Sequence, residues 1–510
     1  MSNHLFDQVR ARMDGGRRPF IVATGAGGAS DRVIRYDDML AMSGRLAQVL
    51  ARRGVRPGDR VAAQVEKSAE AILLYLACIR AGAVWLPLNP AYTLAELEYF
   101  LNDAEPALMV CDPVLAEAVA ALASRLGVAA VETLGIDGRS GSLLALAETQ
   151  DDDFADVARA QGDPAAILYT SGTTGLAKGA VLSHGNLASN AQTLARLWRF
   201  TADDVLLHAL PIFHTHGLFV ATNVTLMAGA SMIFLPRFDP AEVLARMDQA
   251  SVMMGVPTFY VRLLQSPDLS REAVSGMRLF VSGSAPLLAE THQAWFERTG
   301  HRILERYGMT ETNMNSSNPY DGDRIAGTVG LPLEGVEIRI TDPDSGAPIA
   351  AGQVGMIEIR GPNVFQGYWR EPEKTKAEFR PDGFFISGDL GMFDGRGYLS
   401  ILGRSKDLVI SGGFNVYPKE VETEIDGLPG VLETAVIGLP HPDFGEGVTA
   451  VVVLHPGAVL DEAGVRAALA DRLAKYKQPK RVLFVADLPR NAMGKVQKNL
   501  LRQTYGGLYR

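Results

Sequence analysis

The feature that most limits the fold is a recurring unit. A short apolar run of strand length is closed by polar or Gly/Pro residues, and a helical stretch follows. Positions 36–52 carry Leu40, Leu46, Val49 and Leu50 at helical spacing and predict an amphipathic helix. Positions 61–65 read as a short strand, 69–81 as a buried helix and 109–112 as a strand end. The unit recurs with strand-like runs at 205–207, 232–235, 252–254 and 279–282. This alternation predicts α/β architecture, with parallel sheets covered by helices. In such sheets ligands sit beyond the carboxyl ends of strands, so the segments after each run are where a site is sought. A chain of 510 residues exceeds one hydrophobic core and predicts two or more domains. After about 325 the texture changes. Short strands at 336–340 and 356–360 alternate with Gly/Pro turns, as in a small β-rich subdomain. A Gly-rich stretch, 403–413, precedes a final α+β segment with helices at 417–425 and 462–473 and strands at 434–438 and 448–454. That segment reads as a small C-terminal domain joined through a hinge.

One loop carries the densest chemistry. Tyr169-Thr170-Ser171-Gly172-Thr173-Thr174-Gly175-Leu176-Ala177-Lys178-Gly179 follows an apolar run. Its glycines let backbone N–H groups approach an anion, its hydroxyls donate hydrogen bonds, and Lys178 adds a positive charge. A polyphosphate needs this set. The loop is not a Walker loop, because Lys178 is followed by Gly179 and Ala180 instead of Ser or Thr.

Other segments add to it. Glu305-Arg306-Tyr307-Gly308-Met309-Thr310-Glu311-Thr312 offers a hydroxyl for a phosphate at Thr310, a hard oxygen ligand for Mg²⁺ at Glu311 and a flat face for a purine at Tyr307. Ser387-Gly388-Asp389 supplies an acid after a strand, and Arg404 a base, both suited to a ribose. His214 and His216 follow a strand and read as pocket walls rather than zinc ligands, since no third ligand lies nearby in sequence. Lys495 stands on a loop beside Gly494; taken alone, it reads as an ordinary surface lysine.

A net charge of −9 argues against a nucleic-acid partner. The charge is uneven: from Lys475 to Arg510, nine Lys/Arg stand against one acid, Asp487. That segment is either a solvated helix face or the meeting place for an anionic ligand. Two cysteines, Cys78 and Cys111, without metal-type spacing, point to a reducing compartment. No secretory h-region and no apolar run of about 20 residues appears, so a cytoplasmic protein without a membrane span is expected.

Taken in order, these segments resemble the acyl-adenylate-forming (AMP-binding) superfamily, which includes acyl-CoA synthetases, 4-coumarate ligases, luciferases and peptide-synthetase adenylation domains. The resemblance rests on 169–179, 307–312, 387–389, 403–418 and 489–495, and it spans essentially the whole chain. Segments 211–218 and 305–312 look most like those of malonyl-CoA synthetases. The resemblance implies an ATP-dependent acid:CoA ligase that uses Mg²⁺. It would form an acyl-adenylate and then pass the acyl group to coenzyme A. Thr170, Ser171, Gly172, Thr173, Thr174 and Lys178 would hold the β- and γ-phosphates, Thr310 the α-phosphate and Glu311 the metal. Adenine would lie among Ser284, Ala285, Pro286, Glu305, Arg306, Tyr307 and Gly308, and ribose on Asp389 and Arg404. Lys495 would bridge carboxylate and α-phosphate. It also implies an N-terminal domain, 1–405, and a mobile C-terminal domain, 406–510, turning at Lys406. Gly412 and Gly413 would admit the pantetheine arm. Acetylation of Lys495 by a lysine acetyltransferase, reversed by a deacetylase, is a further implied control.

The resemblance to malonyl-CoA synthetases implies a dicarboxylic acid, and charge says what would hold it. A dicarboxylate cannot bury its distal carboxylate unpaired. Arg306 is the sharpest partner for it, with His216 and Ser284 as secondary donors and Arg237 a weaker one. Met309 would limit pocket size and so separate malonate from methylmalonate. Arg306 paired with Glu305 or another acid, away from any substrate, is the competing reading. A short-chain, aryl or fatty monocarboxylate ligase is the alternative function.

Overall fold

The computed structural model describes residues 2–13, 16–25, 30–170, 177–343, 345–411, 414–470, 472–491 and 494–509. Helices Tyr36–Arg52 and Ala69–Ala81 fall where the sequence predicts them. The second is bounded by local chemistry: the Ser68 side chain accepts the Ala71 N–H, and Gly82, at φ +68°, ends it in the left-handed region. Every residue of this helix is buried, including Glu70 and Arg80.

Two large sheets form the N-terminal part. One runs, edge to edge, Gly367–Tyr368, Lys178–Ser183, Pro164–Thr170, Val84–Pro87, Arg60–Gln64, Leu108–Cys111 and Ala130–Thr133. The other has nine strands, Leu331–Pro332, Asn313–Ser317, Leu304–Met309, Leu279–Ser282, Val252–Gly255, Val205–His208, Ser231–Phe234, Pro19–Ala23 and Arg32–Arg35. Their central strands pair in parallel, as expected, and the strands at the edges pair antiparallel except Ala130–Thr133, which pairs in parallel with Leu108–Cys111. Apolar side chains of both sheets join those of helices Tyr36–Arg52, Ala69–Ala81 and His184–Leu197 in one core between them. Separate clusters cover the outer faces, under Leu94–Ala104 in one case and Pro257–Leu264 with Ala289–Thr299 in the other. Burying each sheet on both sides explains why the strands read as continuous apolar runs.

A four-stranded antiparallel sheet, Glu337–Thr341, Gly355–Arg360, Phe385–Phe393 and Leu399–Arg404, is the β-rich subdomain. Asp389 sits inside a strand of this sheet, not after one, because pairing with Leu399–Arg404 continues through it. The last sheet comprises Phe414–Val416, Val409–Ser411, Gly445–Leu454, Val431–His441 and Arg481–Phe484, with helices Pro418–Asp426, Glu462–Leu469 and Lys498–Tyr505. Here the helix expected to reach 473 stops at Leu469. The Gln478 amide donates to the carbonyls of Ala470 and Leu473, satisfying acceptors that a further turn would have used. Among the described residues no helix is long and apolar enough to cross a membrane.

Candidate active site

Residues Thr170 and Lys178 face each other across an antiparallel pair, so the Ser/Thr/Gly loop joins two strands of a hairpin. Ser171, Gly172, Thr173 and Thr174 lie outside the described residues. The flanks are held firmly. Tyr169 donates its hydroxyl to Asp103, Tyr99 donates to the Ala177 carbonyl at 2.6 Å, and the Trp369 N–H meets the Gly179 carbonyl at 2.7 Å. Lys178 lies 5.0 Å above the Tyr368 ring and 3.5 Å from Glu378. The Tyr368 hydroxyl stands between two carboxylates, 2.7 Å from Glu378 and 3.1 Å from Glu311. Glu311 is buried, and burial raises its pKa. Among the described residues it forms no ion pair, and no group of three His/Cys/Asp/Glu could hold a metal alone. A buried, uncompensated carboxylate fits one protein ligand of Mg²⁺, an ion that commonly takes its other oxygens from phosphates and water. Thr310, half-buried, directly precedes it.

Arg306 lies on the strand Leu304–Met309 and is 4% exposed. Its guanidinium packs against the Gly283 backbone so closely that a Cβ there would stand 2.3 Å from it. Glu305 turns elsewhere, 3.4 Å from His292, and does not pair with Arg306. Among the described residues two of the guanidinium nitrogens, Nε and Nη2, have no hydrogen-bond partner, and neither has Nε2 of buried His216. Burial pulls the Arg306 pKa down to about 9. It also lowers that of His214 to about 4, with the Arg306 charge as the next cause, and pushes His216 well below the usual histidine range. Both rings are therefore neutral near pH 7, and the pocket's full charge is Arg306. His216 Nδ1 is 3.1 Å from the Ser284 hydroxyl, and Ser284 is held at φ +71°, an uncommon backbone for a non-glycine residue. Ala285 is half-buried and Pro286 exposed. Met309 is half-buried, its sulfur 3.9 Å from the Tyr307 hydroxyl. Arg237 is exposed, and among the described residues no hydrogen bond or ion pair ties it to this group.

The third cluster spans the sheets. Asp389 and Arg404 are in register across their strands and pair at 2.6 Å, and the Tyr307 hydroxyl donates to the same carboxylate. Lys406 lies just beyond, in a single turn, Ser405–Asp407, between the four-stranded sheet and the last one. Burial and then the Arg404 charge bring Lys406 to about 8. Lys495 arrives from the C-terminal segment. Gly494 lies against Thr258 of the large N-terminal part, 3.2 Å from where its Cβ would be. Burial first and Arg404 second lower the Lys495 pKa, while Asp389 and Asp407 oppose them. Gly412 and Gly413 lie outside the described residues.

The structure thus brings Arg306, His216, Ser284 and His214 together, and Asp389, Arg404, Tyr307 and Lys495 together; Arg237 joins neither group. Sequence reasoning missed Tyr368, Glu378, His208 and Lys67. His208 ends a parallel strand and Lys67 lies just after another, so the strand-end rule already pointed to both.

Residues 8–369 match the AMP-binding enzyme family, and residues 420–495 match the AMP-binding enzyme C-terminal domain. A malonate–CoA ligase of Arabidopsis thaliana is 37% identical over 88% of this chain and 79% of its own length. A feruloyl-CoA synthase of an Amycolatopsis species is 37% identical over 98% of both chains. The solved structure of ATP-bound MatB from Rhodopseudomonas palustris is 61% identical over the full length of both chains, with a TM-score of 0.97. The apo form of the same protein gives 0.86. From its fold, its site and these matches, the chain belongs to the AMP-binding enzyme family.

Proposed function

We propose that this acyl-CoA synthetase joins malonate to coenzyme A, driven by ATP. The observation that carries the acid is Arg306, a buried cation with no acid partner among the described residues and two free donor nitrogens. A guanidinium in that state matches a carboxylate in bidentate geometry, and an apolar acid would leave it unpaired. His216 and Ser284 supply further donors beside it. Methylmalonate is a possible second substrate, limited by Met309.

The first step forms a bond between a malonate carboxylate oxygen and the α-phosphorus of ATP. The bond from that phosphorus to pyrophosphate breaks, leaving malonyl-AMP. In this reading Lys178, Thr170 and the loop after it hold the leaving pyrophosphate, Thr310 the α-phosphate, and Asp389 with Arg404 the ribose. The adenine lies among Ser284, Ala285, Pro286, Gly308 and Tyr307. Mg²⁺ on Glu311 would neutralise phosphate charge. Lys495 bridges two anions that otherwise repel, and its ammonium stabilises charge developing on the phosphoryl oxygens. Then the CoA sulfur, having lost its proton, attacks the acyl carbon, the carbon–oxygen bond to AMP breaks, and malonyl-CoA results.

The two steps need different groups at one site. We take residues 1–405 and 406–510 as the moving bodies, with Lys406 as the pivot and Gly412 and Gly413 admitting the pantetheine arm. The position of Lys495 near Arg404 and Asp389, with the higher TM-score to the ATP-bound relative, supports an arrangement suited to the first step. Lys495 is exposed as a residue even though neighbouring groups desolvate its amine, and that exposure supports a modifying enzyme reaching it; acetylation would remove the bridging charge. Two free, buried thiols support a reducing, cytoplasmic setting.

The feruloyl-CoA synthase match favours a monocarboxylate ligase as the second reading. ATP–pyrophosphate exchange with malonate, methylmalonate, acetate, octanoate and 4-coumarate, followed by thioester formation with CoA, separates the two. Malonate should lead the panel; exchange led by 4-coumarate or octanoate would overturn the assignment.

A further inference from the structure

A buried lysine, its pKa held well below the usual lysine value by desolvation, lies behind the Arg306 pocket. Lys67 follows the strand Arg60–Gln64 of the seven-stranded sheet, directly before the N-cap of helix Ala69–Ala81. It is 8% exposed, and among the described residues no carboxylate pairs with it. Its neighbours in the sequence, Glu66 and Ser68, suggest an ordinary solvated lysine. Instead its amine crosses to the nine-stranded sheet. There it lies 2.8 Å from the carbonyl oxygen of His208, 3.1 Å from His208 Nδ1 and 4.2 Å from the centre of the Phe234 ring.

The His208 ring passes the contact on. Its Nε2 is 2.9 Å from the Gly217 carbonyl oxygen. A carbonyl can only accept, so Nε2 carries the proton, Nδ1 is bare, and Lys67 donates to it. Gly217 is the second residue of a π-helical turn, His216–Thr222, a rare widened geometry that is frequent at functional sites. The same carbonyl accepts from the Thr222 hydroxyl at 3.0 Å. His216, the first residue of the turn, is the one that meets Ser284 at 3.1 Å beside Arg306.

We infer that Lys67 and His208 are positioning residues for the acid substrate: together they tie the π-helical turn to the opposite sheet and hold His216 at the Arg306 pocket. Lys67 selects the His208 tautomer, His208 fixes the Gly217 carbonyl, and the turn presents His216. Burying a lysine without a carboxylate is unfavourable, and packing alone would have been met by an apolar side chain. The inference rests on malonate being the acid.

The test uses the full-length enzyme and pyrophosphate exchange, with KM for malonate and for ATP measured separately. Lys67→Met should raise the malonate KM about tenfold and leave the ATP KM within about twofold. His208→Leu should do the same, and the double variant should be no worse than either, because both act along one route. Lys67→Gln keeps a donor for the His208 carbonyl while shortening the reach to the His208 ring; it should give about a threefold rise and serves if the methionine variant fails to fold. The inference is overturned if the malonate KM is unchanged, or if malonate and ATP KM rise together as melting temperature falls. If the wild-type enzyme shows no malonate-dependent exchange, the malonate reading fails first. The acid that does support exchange then takes malonate's place in the same split.

Discussion

Two arginines of this site are both largely shielded from water, and they are held in opposite ways. Arg404 is paired with Asp389 at 2.6 Å and stays positively charged, its pKa raised chiefly by that carboxylate. Arg306 has no acid partner among the described residues, and burial lowers its pKa. The paired arginine is complete without ligand and can lend hydrogen bonds to a neutral group such as a ribose. The unpaired one is complete only when an anion arrives. A buried ion pair tells little about ligands, whereas a buried unpaired cation names the charge of its missing partner.

The largest expected effect comes from the third cation, the one beside Arg404. Lys495→Ala should lower malonyl-adenylate formation by about 10²–10³-fold, the range seen on losing one oxyanion donor, with ATP affinity nearly intact. Equal loss of thioester formation from preformed malonyl-AMP would remove Lys495 from that role. The pivot comes next. Lys406→Pro should slow thioester formation about tenfold while adenylation changes little, measured as separate half-reactions. Equal slowing of both would place the pivot elsewhere.

Stability tests the contrast itself, because the two arginines should answer with opposite signs. Asp389→Ala leaves Arg404 without its acid. With the Arg404 side chain 29% exposed, solvent screening limits the loss to about 1–3 kcal/mol in denaturant unfolding. Arg306→Leu removes an uncompensated buried cation and should stabilise the ligand-free enzyme by about 1–2 kcal/mol. Destabilisation by both would mean that Arg306 has a partner in the free enzyme.

The smallest effect is a pH shift. The Lys495 amine is held below the usual lysine value of 10.5. Its protonated form is the useful one, so adenylation should decline as pH rises through that lowered pKa, earlier than for an ordinary lysine. Lys495→Arg should move the decline to higher pH, read from kcat/KM against pH. An alkaline limb unmoved by that substitution belongs to another group.

Much of this was legible before the structure, for identifiable reasons. Helix Ala69–Ala81 could be placed to the residue because its cap at Ser68 and its stop at Gly82 are local. The strand Val431–His441 was read short, as 434–438. Its outer residues, including Pro440 and His441, are held in the ladder by pairing with Gly445–Leu454, which is tertiary. Within the site, Arg306 could be nominated from its charge together with the family resemblance of its strand, but its freedom from Glu305 depends on which way each side chain leaves the strand. Lys67 and His208 are 141 positions apart, and nothing local joins them. Tyr368 and Glu378 were hidden likewise, since their roles exist only once Glu311 and Lys178 are packed beside them.

The central claim is that Arg306 waits for a distal carboxylate. The direct measurement is the ratio of kcat/KM for malonate to that for propionate, in wild-type enzyme and in Arg306→Leu. The wild type should favour malonate by about 10²-fold or more, and the variant should bring the ratio down at least tenfold by losing malonate activity. A wild type indifferent to the second carboxylate, or a variant that keeps the ratio, would contradict it.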